Sequence, residues 1–208
     1  MSGEALRLEI GQERLIRQRR YRIAARVQCS GSEGDWEEWL LALIEETPAA
    51  AVAAASGLWL EVDEGELTLW TPTLPPPEFT TASLGSLRHL VHQGRKFTVR
   101  ERGSATVRAI EGDAGGDCVV GTAFNYIDLD GPMAQLGIEW DGAEVELFLG
   151  QRIDFTELQR WAAAAAGKPM PTPGQLARDR RSAVPRREPS PELHPVAAWA
   201  IIDRKSVV

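Results

Sequence analysis

Between residues 58 and 70 apolar and polar side chains alternate, through Leu58-Trp59-Leu60-Glu61-Val62 and again through Leu67-Thr68-Leu69-Trp70, with Glu64-Gly65 in between. Alternation with period two marks a strand with one buried face, and a glycine in a two-residue connection admits the left-handed backbone of a tight hairpin turn. This register sets Asp63 opposite Glu66, Val62 opposite Leu67, Glu61 opposite Thr68, Leu60 opposite Leu69 and Trp59 opposite Trp70. Leu60, Val62, Leu67 and Leu69 then share a face, the core face. The same pattern returns in Ile138-Glu139-Trp140-Asp141-Gly142-Ala143-Glu144-Val145-Glu146-Leu147-Phe148, where Ile138, Trp140, Val145 and Leu147 take the equivalent places. Gly137 falls opposite Phe148, whose ring is expected to cover it. Upstream of each, Tyr21-Arg22-Ile23 matches Phe97-Thr98-Val99. Two matches in one order at similar spacing point to a duplicated β-unit.

A third hairpin is expected from Phe97 to Ile110 around Gly103-Ser104-Ala105, with Phe97, Val99, Val107 and Ala109 on one face. Further strands are predicted over 20–29, 36–44 and 121–129. A helix is predicted over 154–166: Asp154 can cap it, Glu157 follows three residues later, and Gly167 can end it. The fold class expected is mainly β, a duplicated antiparallel meander closing into a sandwich or a barrel, with a short C-terminal helix and a disordered tail. The expected interior is single, shared by the aliphatic side chains of both copies, while the carboxylates stay solvated.

The Pro75-Pro76-Pro77 run divides a β-rich domain, residues 1–166, into halves of about 8–74 and 84–153. Residues 167–195 are rich in proline and arginine and read as a linker. Residues 196–208 form an apolar tail; its final hexapeptide reads as adapter-derived, so 196–202 is expected to be the truncated start of a transmembrane helix, with the preceding arginines on the cytoplasmic side, the alternative being a soluble tail with a short apolar docking segment. No signal peptide pattern opens the chain.

Lys plus Arg number 23 against 30 Asp plus Glu, a formal charge of −7, which argues against a nucleic-acid partner. Two cysteines, Cys29 and Cys118, exclude a disulfide-dense scaffold and a four-cysteine zinc site. Like charges meet where Glu139 faces Glu146. Solvent and the arginines Arg100, Arg102 and Arg108 are expected to compensate. The sharper reading of Glu139, Asp141, Glu144 and Glu146 is a divalent-metal site, since hard cations take carboxylate oxygens; a third is an acidic surface that docks a basic partner. His89-x-x-His92 lacks a third ligand nearby and reads as exposed histidines at a strand entry. Gly112 to Asp117 lacks the lysine and strand–helix context of a phosphate loop and reads as a flexible hairpin tip. Of seven tryptophans, Trp36, Trp39, Trp59, Trp70 and Trp140 fall in predicted strands, where packing is the default. Trp59 and Trp70, with Glu61 on their face, form a candidate platform for a ligand or partner.

The runs Trp36-Glu37-Glu38-Trp39-Leu40-Leu41, Gly57-Leu58-Trp59-Leu60 and Phe124-Asn125-Tyr126-Ile127-Asp128, together with Tyr21-Arg22-Ile23, Ala105 and Glu111-Gly112, resemble the bacterial family catalogued as domain of unknown function 4178. The resemblance spans roughly residues 8–155; the alanine-rich stretch at 48–56 is longer than its pattern. It implies no reaction and no catalytic residues, and suggests accessory or scaffold work near a membrane. Without a nucleophile–base pair, a ligand cluster or a cofactor fingerprint, the chain is read as non-enzymatic and free of cofactors. The expectation is a cytoplasmic protein-interaction module at the inner face of the cell membrane, with Trp59, Trp70, Arg100, Arg102 and Arg108 as candidates to contact an unknown protein partner. The alternatives are a small-molecule or divalent-metal binding module using the acidic sheet face, and a hydrolase with no recognisable motif.

Overall fold

Residues with left-handed backbone punctuate the chain. Arg17-Gln18 (φ 49° and 66°), Glu64-Gly65 (45° and 85°) and Gln93-Gly94 (49° and 74°) each place two positive-φ residues in a row, the conformation of the tight turn whose twist matches that of paired strands. Pro132-Met133 makes a different turn, with proline first and Met133 at φ 59°. In a computed structural model, which describes residues 8–32, 34–44, 57–76, 79–115, 118–142 and 144–168, the elements between these turns are β1 (Glu13–Ile16), β2 (Arg19–Gly31), β3 (Asp35–Leu43), β4 (Leu58–Asp63), β5 (Glu66–Thr73), α1 (Thr81–Leu84), β6 (His89–His92), β7 (Arg95–Gly112), β8 (Ala123–Gly131), β9 (Ala134–Asp141), β10 (Glu144–Ile153) and α2 (Phe155–Ala165).

The strands close into an eight-stranded antiparallel barrel. Around the ring the order is β2-β3-β4-β5-β10-β9-β8-β7, and β7 pairs back onto β2. The short β1 and β6 flank it, bonded to β2 and β7. Each half of the chain thus contributes a five-strand meander, and the halves join at β5–β10 and β2–β7. Closure pairs both edges of a strand and removes the open sheet edge that invites association. Of the two architectures expected, the barrel is the one formed.

Both predicted hairpin registers are present. Trp59 pairs with Trp70 and Asp63 with Glu66; Gly137 pairs with Phe148 and Glu139 with Glu146. The third hairpin is not: β7 runs unbroken through Gly103-Ser104-Ala105. Gly103 is there for close approach rather than for a turn, since a Cβ on it would stand 2.7 Å from the Tyr126 hydroxyl oxygen of the neighbouring strand. Register shifts between Val99 and Glu101, and where β7 meets Gln28/Cys29, reverse which side of the strand a residue takes. Phe97 and Val107 therefore end up in different clusters rather than on one face.

The single shared interior is also corrected. Leu60 and Leu69 belong to one cluster with Ile23, Trp39 and Leu41, covered by Leu158 and Trp161 of α2. Ile138 and Leu147 belong to another with Phe97, Ile127 and Leu129, covered by Leu84 of α1. A third cluster holds Val27, Cys29 and Val107 with Trp36, Trp59 and Phe124. A closed barrel has two faces, and here helices and loops cover the outer one, so both sides of a strand bury apolar residues.

Helix α2 forms as read from the sequence. The Asp154 carboxylate accepts the Glu157 backbone N–H at 2.7 Å, and Gly167 ends the helix at φ 62°. The linker from residue 169 onward, the tail at 196–208 and the alanine run at 49–55 lie outside the described residues. Among the described residues no helix is long and apolar enough to cross a membrane.

Candidate functional site

Strand parity sorts the barrel's side chains into two sets. Cys29, Glu38, Glu61, Trp70, Tyr126 and Glu139 belong to one set, Ile23, Trp39, Leu60, Leu69, Ile127 and Ile138 to the other. Trp36 on β3 meets Tyr126 and Phe124 on β8 edge-on, with ring centroids 5.8 and 6.4 Å apart. Glu38 on β3 and Glu139 on β9 stand on opposite sides of the ring, yet each lies close enough for Glu38 to raise the pKa of Glu139. Outward side chains on a barrel diverge, and only inward ones meet across it, so the first set lines the lumen. Glu38, Glu61 and Glu139 remain half-buried rather than buried. Their carboxyl groups point inward and are strongly desolvated there.

Large rings fit there because glycines stand opposite them. The Trp70 indole lies over Gly150 of β10 and reaches Gly137 of β9, and a Cβ on either glycine would press into it. Trp70, not Phe148, is therefore the ring that covers Gly137. Two indoles also fix carboxyl groups: Trp36 Nε1 donates to Glu38 Oε1 at 2.7 Å and Trp70 Nε1 donates to Glu61 Oε2 at 3.1 Å. The Tyr126 hydroxyl donates to Glu101 Oε1 at 2.7 Å.

Desolvation dominates the electrostatics. Burial raises the Glu38 carboxyl, with Asp128 adding and the Trp36 N–H opposing. Burial, followed by repulsion from Glu38 and Asp128, pushes Glu61 up to about 8 against the opposing Trp70 N–H. Glu139 is held well above the usual carboxylate range by burial and then by Glu38, Glu146, Asp128 and Glu61. The charged neighbours that act most strongly on these three groups are all acidic. For Glu61 this favours the protonated acid at neutral pH, because an uncompensated charge in a low-dielectric interior is costlier than a neutral acid. Burial likewise raises the thiols of Cys29 and Cys118 and so disfavours the nucleophilic thiolate.

The residues singled out by sequence fall in several places. Glu139 lies in the lumen, and Glu146, its cross-strand partner, is exposed. Asp141 and Glu144 pair at the exposed end of the same hairpin. Among the described residues no group of three or more His, Cys, Asp or Glu side chains is close enough together to hold a metal ion. The arginine compensation expected for Glu139 is corrected. Arg100 donates to Asp128 at 2.9 Å. Arg102 donates to the carbonyls of Gly85 and Leu87 at 2.8 and 2.6 Å, next to α1. Arg108 is exposed. Trp70 is buried and Trp59 half-buried, and both line the lumen, so a ligand would have to enter the barrel to meet them. His89 and His92 lie on the edge strand β6, with His92 Nε2 3.4 Å from Thr73 Oγ1. The glycine-rich stretch follows β7; Gly112 (φ 83°) sits under the Ala24 carbonyl, and residues 116–117 lie outside the described residues.

Glu38, Asp128 and Tyr126 fall within the runs that carry the family resemblance, but nothing in those runs singles them out as site residues. One signal does point to the site: Glu61 and Glu139 hold the same place in the two matching segments, so any closure that turns one inward turns both inward.

A family model described as Domain of unknown function (DUF4178) matches residues 9–155. No curated protein and no solved structure is significantly similar to this chain.

Proposed function

The chain belongs to the DUF4178 domain family, a membership that assigns no reaction, and we propose that the domain is a small-molecule binding module whose site is the barrel lumen. The observation that carries this reading is that Glu38, Glu61 and Glu139 point from three strands into a barrel interior lined by tryptophans, two of which donate to these carboxyl groups. Eight strands enclose an interior that side chains either fill or leave wide enough for one small ligand. Here bulky rings over glycines crowd part of it, and the three carboxyl groups lie beside those rings. A site with mostly aromatic walls and a few placed polar groups is the usual make-up of a ligand pocket.

The two halves are read as copies of one five-strand unit, which makes Glu61 and Glu139 equivalent residues and accounts for their meeting across the ring. The docking-scaffold alternative draws on the same residues and is the weaker reading, because Trp59 and Trp70 face inward and Arg100 and Arg102 are engaged within the domain.

The test is native mass spectrometry of the full chain from its native host, followed by a metabolite panel read by tryptophan fluorescence. A retained small molecule, or a hit whose signal is lost when Gly137 is enlarged to fill the lumen in a variant that still folds, supports the reading. A chain that emerges empty, ignores the panel and carries a stoichiometric protein partner refutes it.

A further inference from the structure

Helix α2 starts where the family match ends, at residue 155, and a single residue, Asp154, joins it to β10. It follows the second half of the chain, yet Leu158 and Trp161 pack into a cluster whose other buried members all come from the first half, from Ile16 of β1 to Leu69 of β5. Alternation along β1 turns Arg14 to the same side as Ile16, and Arg14 is only 3% exposed. Its terminal nitrogens donate to the Glu13 carbonyl at 2.8 Å and to Gln12 Oε1 at 2.7 Å. Its Nε is buried without a partner, and among the described residues no carboxylate pairs with it. Burial lowers its pKa to about 10, since a guanidinium out of water loses hydration that neutral acceptors replace only in part.

A dry guanidinium without a counter-charge is a standing cost, and α2 packs on the strand that carries it. We infer that α2 is a detachable latch: it lifts from β1 while the barrel stays closed, because lifting returns the Arg14 guanidinium to water. Burial of Leu158 and Trp161 holds the helix down, together with the Arg20 guanidinium, which donates to the Ala165 carbonyl at 3.3 Å. The hydration that Arg14 regains offsets those contacts. The ring closes through strand pairing and needs nothing from the helix. A helix of 11 residues is marginal by itself in water, so lifting also melts α2. It uncovers an apolar face of the first half with a cation set in it.

The test is hydrogen–deuterium exchange of the full chain, read by mass spectrometry on peptides from the middle of α2 and from β8 and β9. The α2 amides are expected to exchange about a hundredfold faster than the strand amides, through local opening. Arg14→Met keeps an apolar stem and removes the charge; it is expected to slow α2 exchange about tenfold or more, with β8 and β9 unchanged. Leu158→Ala weakens the packing and is expected to speed α2 exchange by about the same factor. Should Arg14→Met disturb the barrel, seen as faster exchange in β8 and β9, Arg14→Leu serves in its place. Exchange of α2 in step with the strands overturns the latch, since helix and barrel then open together. Unchanged or faster α2 exchange on removal of the charge overturns it too, since the buried guanidinium is then not what lifts the helix.

Discussion

Replacing Glu61 by Gln should stabilise the protein at neutral pH. The Glu61 carboxyl has a folded-state pKa near 8 against 4.5 for an unperturbed glutamate. A raised carboxyl pKa means that the folded state holds a proton the unfolded chain releases, so the contribution to stability is fully present below about pH 4.5 and is lost as pH climbs through 8. Each pH unit in that window costs about 1.4 kcal/mol. At pH 7 the wild type has therefore lost roughly 3 kcal/mol at this residue, discounted to about 2 for the water that Glu61 still touches. Gln is a neutral isostere of the protonated acid, and its carbonyl can still accept the Trp70 N–H. Glu61→Gln should therefore raise the melting temperature at pH 7 by about 4–8 °C, taking ~2–4 °C per kcal/mol for a domain of this size. The gain should vanish near pH 4.5, and the slope of stability against pH should fall by one proton. The assay is thermal unfolding of both proteins by circular dichroism from pH 4.5 to pH 8.5. A variant less stable at pH 7, or one that keeps the wild-type slope, would show that Glu61 is not a desolvated, protonated lumen residue.

Gly150→Val places a branched side chain against the Trp70 ring and should cost about 2–4 kcal/mol by overpacking; a denaturant midpoint equal to wild type would mean that Trp70 lies elsewhere. Asp154→Ala removes the cap of α2 and should cost about 1 kcal/mol, read by urea unfolding, with a null effect arguing that the helix does not dock. Leu60→Ala opens a cavity beneath α2 and should cost about 2–5 kcal/mol in the same urea assay. Cys29, buried and with its thiol pKa raised by burial, should react with a thiol reagent far more slowly in the folded protein than in urea; equal rates would contradict its lumen position.

The alternation around Glu64-Gly65 and its counterpart in the 140s settles two hairpins and their registers without any tertiary information, because a side-chain period of two allows one register to bury the apolar set. Cap chemistry does the same for α2, where Asp154, Glu157 and Gly167 each act locally. Those are nearest-neighbour effects, and a chain states them residue by residue. What the sequence could not state is which face of each strand points inward, since both faces of these strands carry apolar residues. Gly103 misleads for a related reason: a glycine that makes room for a ring on the next strand looks, along the chain, like a glycine that turns. Barrel closure, the pairing of β7 with β2, decided both matters. Closure joins residues some eighty positions apart, and it alone brought Glu38, Glu61 and Glu139 inside the barrel, where burial raises the pKa of each carboxyl group.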